Sequence, residues 1–396
     1  MGKDLITKFF MVIFCFLLLF YAYQNMLQLN QVQVSNTRGF WRVSVILVLV
    51  SVYSYLSIRL VSLFFIDSNL AKIFGFWFIA LLIEGAFTDT GLPLGINLTN
   101  SIIILIPVTV FYYFYLVFNK VDMLHFYLKI AAIFTLALAL IYYKEYNITN
   151  LIMQHKYASL NIAYYPLLML PFVLLQKNKY VRILFVLLIT VIIFSSMKRG
   201  GLLAFSLSII TYYFIEYIII KEKRFIIIRS LFIVLVPILL SVAFFYFDTN
   251  YNGYFLERLV MVNDDEGSGR LPLYSEVFSL IENSSFNKVL FGHGENAVLR
   301  YTHGYSAHND FLEVFFDYGI IVFIGYVFLH FQLIKNSIRL IKQKSQFAAP
   351  FSVSYILFIV LSMISHVVIY PYFFILTAFW GMVLGINERE SQMEMQ

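Results

Sequence analysis

The sequence predicts an all-α polytopic membrane protein, and three observations carry that prediction. Of 396 residues, 61% are hydrophobic and 13% charged, with a mean hydropathy of +0.82, against about 45–50% apolar and about 25% charged in ordinary soluble domains. The apolar residues gather into runs of about 17–25, the length a helix needs to cross hydrocarbon. Runs of that length exclude a β-barrel, whose spanning strands need only about 9–11 residues. Residues 1–396 read as a single transmembrane domain with one elaborated loop, because no repeat, low-complexity tract or linker marks a second soluble domain.

About twelve transmembrane helices follow from the hydropathy pattern. The first, residues 9–25, follows Lys3 and Lys8 as a signal sequence would. Tyr21-Ala22-Tyr23-Gln24 offers no small-residue cleavage site and further spans follow, so the run reads as a retained anchor. Spans over 43–65, 70–88, 101–118, 122–143, 157–175, 180–197, 201–220 and 226–247 come next, each an apolar run bounded by polar or charged residues. A long polar stretch over 248–317 interrupts the series, and spans at 316–334, 351–370 and 372–387 close it.

Lys and Arg set the orientation. With the N-terminus inside, the cytoplasmic side collects 16 of them and the opposite side ten, four of which lie in the long loop and weigh little. Both termini are therefore expected in the cytoplasm and the loop outside. The single cysteine, Cys15, excludes an intramolecular disulfide and a cysteine metal cluster. The net charge of +6 sits mostly in cytoplasmic loops, where anionic headgroups of the lipid bilayer are partner enough. Nothing in the pattern suggests nucleic acid.

The outer loop holds 11 of the 22 Asp and Glu and three of the seven His. Such a concentration of polar groups at one membrane face implies a site there. Two short helices are expected in it. One starts at Pro272, with Leu273, Val277, Leu280 and Ile281 at helical spacing. The other starts after Ser306 as N-cap and runs through Phe311, Val314, Phe315 and Tyr318 into the tenth span.

Lys198-Arg199-Gly200-Gly201 places two cations at the outer end of two spans, where positive charge is disfavoured. The glycines allow a tight break, and the next span opens with free N–H groups, an anion site beside Arg199. The plain alternative is snorkelling to headgroup phosphate. Arg270 follows Glu266-Gly267-Ser268-Gly269, a flexible hinge that would swing a guanidinium over a membrane-surface phosphate; the plain alternative is a surface ion pair with Asp264, Asp265 or Glu266. His308, followed by Asn309 and Asp310, falls at a helix start whose dipole favours a neutral imidazole able to accept a proton. A structural histidine is the alternative. His293, His303 and His308 fit no zinc spacing, so no metal site is expected. Arg59 and Lys129 are expected to snorkel, and Glu84, Asn97 and His366 to be satisfied polar groups or cavity lining.

Lys198-Arg199-Gly200-Gly201-Leu202-Leu203, Gly269-Arg270 with Tyr274, Gly292-His293-Gly294, and Ala307-His308-Asn309-Asp310-Phe311-Leu312-Glu313 with Gly319-Ile320 together resemble the O-antigen ligase and O-antigen polymerase superfamily over about residues 180–335. The resemblance implies a metal-independent, cofactor-free glycosyltransferase of the bacterial inner membrane, acting on undecaprenyl-pyrophosphate-linked oligosaccharide at the periplasmic face. It assigns Arg199 and Arg270, with Lys198 beside them, to the pyrophosphate and His308 to the general base. Asn309, Tyr274, Gly200 and Gly201 support them, and Tyr274 stands where many relatives carry Trp. An O-antigen polymerase is the preferred reading, with a chain-length regulator as a candidate partner. The ligase that moves O-antigen onto lipid A-core is the close alternative. A flippase or transporter is more distant, since the long loop falls after the ninth span and no paired interrupted spans occur in matching halves. A non-catalytic assembly partner would make His308 dispensable.

Overall fold

A computed structural model describes residues 2–29, 69–87, 106–153, 160–219, 245–246, 249, 266–368 and 372–394. The expected spans at 43–65 and, but for its last residues, 226–247 lie outside the described residues, as do Arg59, Asn97, Asp264 and Asp265. Everything described is helix, turn or coil. In chain order the helices are α1 (Gly2–Leu29), α2 (Asn69–Phe87), α3 (Ile106–Lys120), α4 (Leu124–Met153), α5 (Tyr164–Leu168), α6 (Leu170–Leu174), α7 (Lys179–Ser195), α8 (Arg199–Ile219), α9 (Glu266–Glu282), α10 (Phe286–Phe291), α11 (Ala297–Tyr301), α12 (Asp310–Lys342), α13 (Ala348–Ile364) and α14 (Phe373–Glu394). Among the described residues, four stretches are long and apolar enough to cross a membrane: Leu5–Met26, Leu124–Ile148, Arg199–Ile219 and Asp310–Lys342. The chain is an all-helical, multi-pass membrane protein.

It divides into two compact units. The first comprises Met1–Ser35, Lys120–Met261 and Asn336–Val360. In it α1 packs on α4, and α4 on α7 and α6. Lys8 sits over the Phe126 ring at the start of both helices, and Lys144 over Tyr23 near their ends. The two helices therefore run parallel, as the first and fifth members of an alternating series must. Asn178 caps α7 by accepting from the N–H groups of Tyr180 (2.9 Å) and Val181 (3.4 Å).

One expectation fails in this unit. The sixth run, residues 157–175, is not one helix. Over 161–174 it is a 3-10 turn (Asn161–Ala163) followed by two five-residue helices, α5 and α6. Pro166 and Pro171 are the cause, since each removes an N–H and crowds the preceding turn. Every residue of α5 and α6 is buried.

The second unit comprises Asn36–Asn119, Val262–Lys335 and Leu361–Gln396. Its centre is aromatic. Phe74 stacks on Phe111 with centroids 4.4 Å apart, and Trp77 stacks on Tyr326 at 6.0 Å while its indole N–H donates to the Val322 carbonyl. The Tyr112 hydroxyl donates to the Ala71 carbonyl and Phe74 stacks on Phe111, which joins α2 to α3. Gly381 and Gly385 bring α14 onto α3: a Cβ there would lie 2.3 Å from the Phe111 carbonyl oxygen and 2.5 Å from that of Tyr115. Arg389 then reaches the Phe118 carbonyl, so α14 runs parallel to α3. Small residues four apart are the usual means of close approach between membrane helices.

Candidate functional site

The residues singled out by sequence fall in both units. Lys198 and Arg199 belong to the first. The chain breaks at Met197, whose φ of 52° is left-handed, and Ser196 Oγ accepts the Lys198 N–H at 3.4 Å. Helix α8 begins at Arg199, so Gly200 and Gly201 lie within its first turn rather than in the break. Their smallness serves packing: a Cβ on Gly201 would touch the Tyr164 ring at 3.4 Å. Arg199 thus stands half-buried at a helix N-terminus, where N–H groups and the dipole favour anions.

Arg270, Tyr274, His308 and Asn309 belong to the second unit. The expected hinge before Arg270 is helical instead. Helix α9 starts at Glu266 and carries both Arg270 and Pro272 inside it. Pro272 was expected to open the helix; it sits further in, where its ring displaces an internal hydrogen bond. Arg270, Tyr274 and Val277 follow at i, i+4 and i+7 and share a face. Val277 is fully buried with Ala297, Val298, Ala307 and Phe316, and Tyr274 packs on that cluster. The half-buried Arg270 has its Nε enclosed without a protein partner. The cluster ends at Ala307, next to His308.

Gly292-His293-Gly294 does structural work. Gly292 and Gly319 have φ of 82° and 76° and meet back to back; a Cβ on Gly292 would lie 2.1 Å from the Asp317 carbonyl oxygen, one on Gly319 2.4 Å from that of Leu290. The His293 and Gly294 N–H groups donate to the carbonyls of Phe316 (3.0 Å) and Asp317 (2.8 Å). The same Gly319 kinks α12. The His293 ring stacks on Phe316 at 4.2 Å, its Nε2 2.8 Å from Ser284 Oγ. Burial, reinforced by Lys288 and Arg300, pushes its pKa from 6.5 down to about 4. It is a neutral structural histidine.

His308 sits in a turn held from several sides. The expected N-cap of α12 was Ser306; the actual cap is Asn309, whose Oδ1 accepts the N–H groups of Phe311 (3.0 Å) and Leu312 (3.3 Å). Ser306 lies further out and donates to Glu313 Oε1 at 2.7 Å. The His308 N–H points at Ser306 Oγ (3.3 Å) and Glu313 Oε1 (3.2 Å). His308 itself has a φ of 54°. Across from this turn lies His366, hydrogen-bonded to Ser306 through Nε2, with Nδ1 3.4 Å from Glu313 Oε2. Asp310 is fully buried and accepts the N–H groups of Val367 (2.8 Å) and Val368 (3.1 Å).

Asp310 and Glu313 carry roles that the sequence reading did not assign. The signal was available: Asp310, Glu313 and Asp317 recur at i, i+3 and i+7 at the head of an apolar helix, and carboxylates so placed rarely lack a purpose. Asp317 uses Oδ1 to accept the Val298 N–H at 2.9 Å, capping α11.

Within the second unit the arrangement offers a half-buried guanidinium, Arg270, and an imidazole, His308, in a turn fixed by hydrogen bonds. No curated protein matches the chain. A family model described as O-antigen ligase matches residues 183–327, a span that includes Arg199, Arg270, Tyr274 and His308. That family implies a glycosyl-transferring enzyme, and over those residues the chain is similar to it.

Proposed function

We propose that the protein is an O-antigen polymerase, joining undecaprenyl-pyrophosphate-linked repeat units at the periplasmic face of the bacterial inner membrane. The observation that carries the reading is His308, held at the head of α12 inside the family-matched stretch together with Arg199 and Arg270. The acceptor hydroxyl is a weak nucleophile. A positioned imidazole that takes its proton as the C–O bond forms is worth about 10²–10⁴-fold. The glycosyl–phosphate bond breaks on the opposite face, so the anomeric centre inverts. Charge then develops on the pyrophosphate, where Arg199 and Arg270, with Lys198 beside them, stabilise it without reorganising. Pyrophosphate leaves without a general acid, and neither metal nor cofactor is required. A chain-length regulator is a fitting partner for such an enzyme.

The family description favours a second reading, the ligase that transfers O-antigen to lipid A-core. Donor and chemistry are shared, and only the acceptor differs. Deleting the gene separates them on one lipopolysaccharide gel. A polymerase deletion leaves core bearing a single repeat unit, whereas a ligase deletion leaves bare core with polymer accumulating on the lipid carrier. Complementation with His308→Ala is expected to leave the deletion pattern unchanged, and normal polymer from that variant would defeat the base assignment.

A further inference from the structure

Outside the three residues assigned to chemistry, the densest group of buried titratable side chains in the second unit is His366, Glu313 and Asp310, which are 2%, 4% and 0% exposed. Glu313 accepts the His308 N–H, His366 reaches the same turn through Ser306 and Glu313, and Asp310 holds the segment that follows His366. A side chain at φ 54° is strained by about 1–2 kcal/mol relative to the right-handed region and persists only where its surroundings dictate it. Here they do. The N–H of His308 is shared between Ser306 Oγ and Glu313 Oε1. Ser306 spends its one proton on Glu313, so its lone pairs must serve both the His308 N–H and His366, which therefore bonds it as the Nε2–H tautomer. The other nitrogen of the ring, Nδ1, faces Glu313 Oε2 at 3.4 Å and Asp310 Oδ1 at 3.9 Å.

The clamp is closed from the far side too. Asp310 Oδ2 ties down the N–H groups of Val367 and Val368, and Tyr372 donates to the His366 carbonyl, so the segment that carries His366 is fixed to the head of α12. The His366 ring lies beside that of His308, with centroids 4.8 Å apart and planes inclined at 37°. His366 is thus bonded to the turn that aims His308 and also walls one side of its ring.

We propose that His366, acting through Ser306 and Glu313, is a positioning residue for glycosyl transfer, holding His308 in the strained turn from which it meets the acceptor hydroxyl. This rests on the reading of His308 as general base. A base misplaced by about 1 Å loses roughly 10² in rate while the lipid-linked donor, bound elsewhere, is unaffected.

The test uses full-length protein in nanodiscs with undecaprenyl-pyrophosphate-linked repeat units. His366→Ala is expected to lower kcat roughly 10²-fold with KM unchanged. His366→Gln, which keeps a donor for Ser306 but not the second ring nitrogen, is expected to fall only roughly tenfold. Adding His366→Ala to His308→Ala should cost nothing more, because the two act as a unit. Wild-type kcat in His366→Ala, a rise in KM at constant kcat, or full additivity with His308→Ala overturns the proposal. Should the Ala variant not accumulate as folded protein, the Gln variant decides, and an unchanged kcat there is equally fatal. Retained transfer by His308→Ala removes the base itself, a failure recognisable whatever His366 does.

Discussion

At the scale of the residue, the second unit contains groups that hold its turns together and, on the proposed function, a group that acts. Asn309 holds: its Oδ1 caps α12, so Asn309→Ala is expected to lower stability by about 1 kcal/mol, measured as a drop in thermal midpoint in detergent. Arg270 and Arg199 are expected to act through their planar forks. Replacement by Ala should abolish polymer, and replacement by Lys should restore little of it, because an ammonium cannot meet two phosphate oxygens at once. Full restoration by Lys at both positions, read on a lipopolysaccharide gel, would reduce their part to a simple field. His293 makes the pH-dependent case. Its folded pKa is depressed from 6.5 to about 4, so the unfolded chain takes up the proton first. The stability it contributes is present above about 6.5 and drains away as pH falls toward 4. Thermal midpoints at pH 7 and pH 5 should therefore differ more for the wild type than for His293→Gln.

The residues proposed for catalysis stand out in the sequence because charge is costly near a membrane and therefore conspicuous. Their supports could not. That Asn309 rather than Ser306 caps α12 depends on which side chain the turn at His308 brings back onto the helix, and that turn has a left-handed residue no propensity would place there. The Glu313–Ser306–His366 contacts join positions 60 residues apart in the Ser306–His366 case, a relation invisible to any local pattern.

Among the elements, α12 shows how glycine earns its place through contact. Its kink at Gly319 is matched by Gly292 in the loop, and each needs both a positive φ and the absence of a side chain. Ala at either position would drive Cβ into a carbonyl, so Gly292→Ala and Gly319→Ala should both fail to accumulate. Gly304 gives the control. Its φ is 91° but nothing lies within 4 Å of a built Cβ, so Gly304→Ala should carry strain alone, about 1–2 kcal/mol, and still yield protein. Equal yields of all three variants on a membrane blot would contradict the contact argument. Hydropathy placed three helices within about two residues at both ends, α2, α7 and α8, where an apolar run ends at polar residues. It missed the start of α9, where a Gly-Ser-Gly run that reads as a hinge is helical, and the break at 161–174, where apolarity masked the effect of two prolines.

For the whole molecule, the testable property is sidedness. Lys and Arg counts lead to the expectation that the long loop lies on the side opposite the cytoplasm. Asn287 lies exposed in that loop, and the sole native thiol, Cys15, is buried in α1. Asn287→Cys should therefore react with an impermeant thiol reagent in intact spheroplasts, and labelling only after lysis would invert the topology.

The broken helix at 161–174 has a consequence for how the protein is made. At about 1.5 Å per residue its 14 residues reach roughly 21 Å, short of the about 30 Å of hydrocarbon. Handed to the bilayer alone as it leaves the ribosome, this piece would be rejected. Its neighbours α4 and α7 flank it in the chain and pack against it in the first unit, so its membrane insertion must wait until α7 has been synthesised. Biogenesis thus becomes cooperative over residues 124–195, and a chain truncated before α7 should be recognised by quality-control proteases as an unfinished membrane protein.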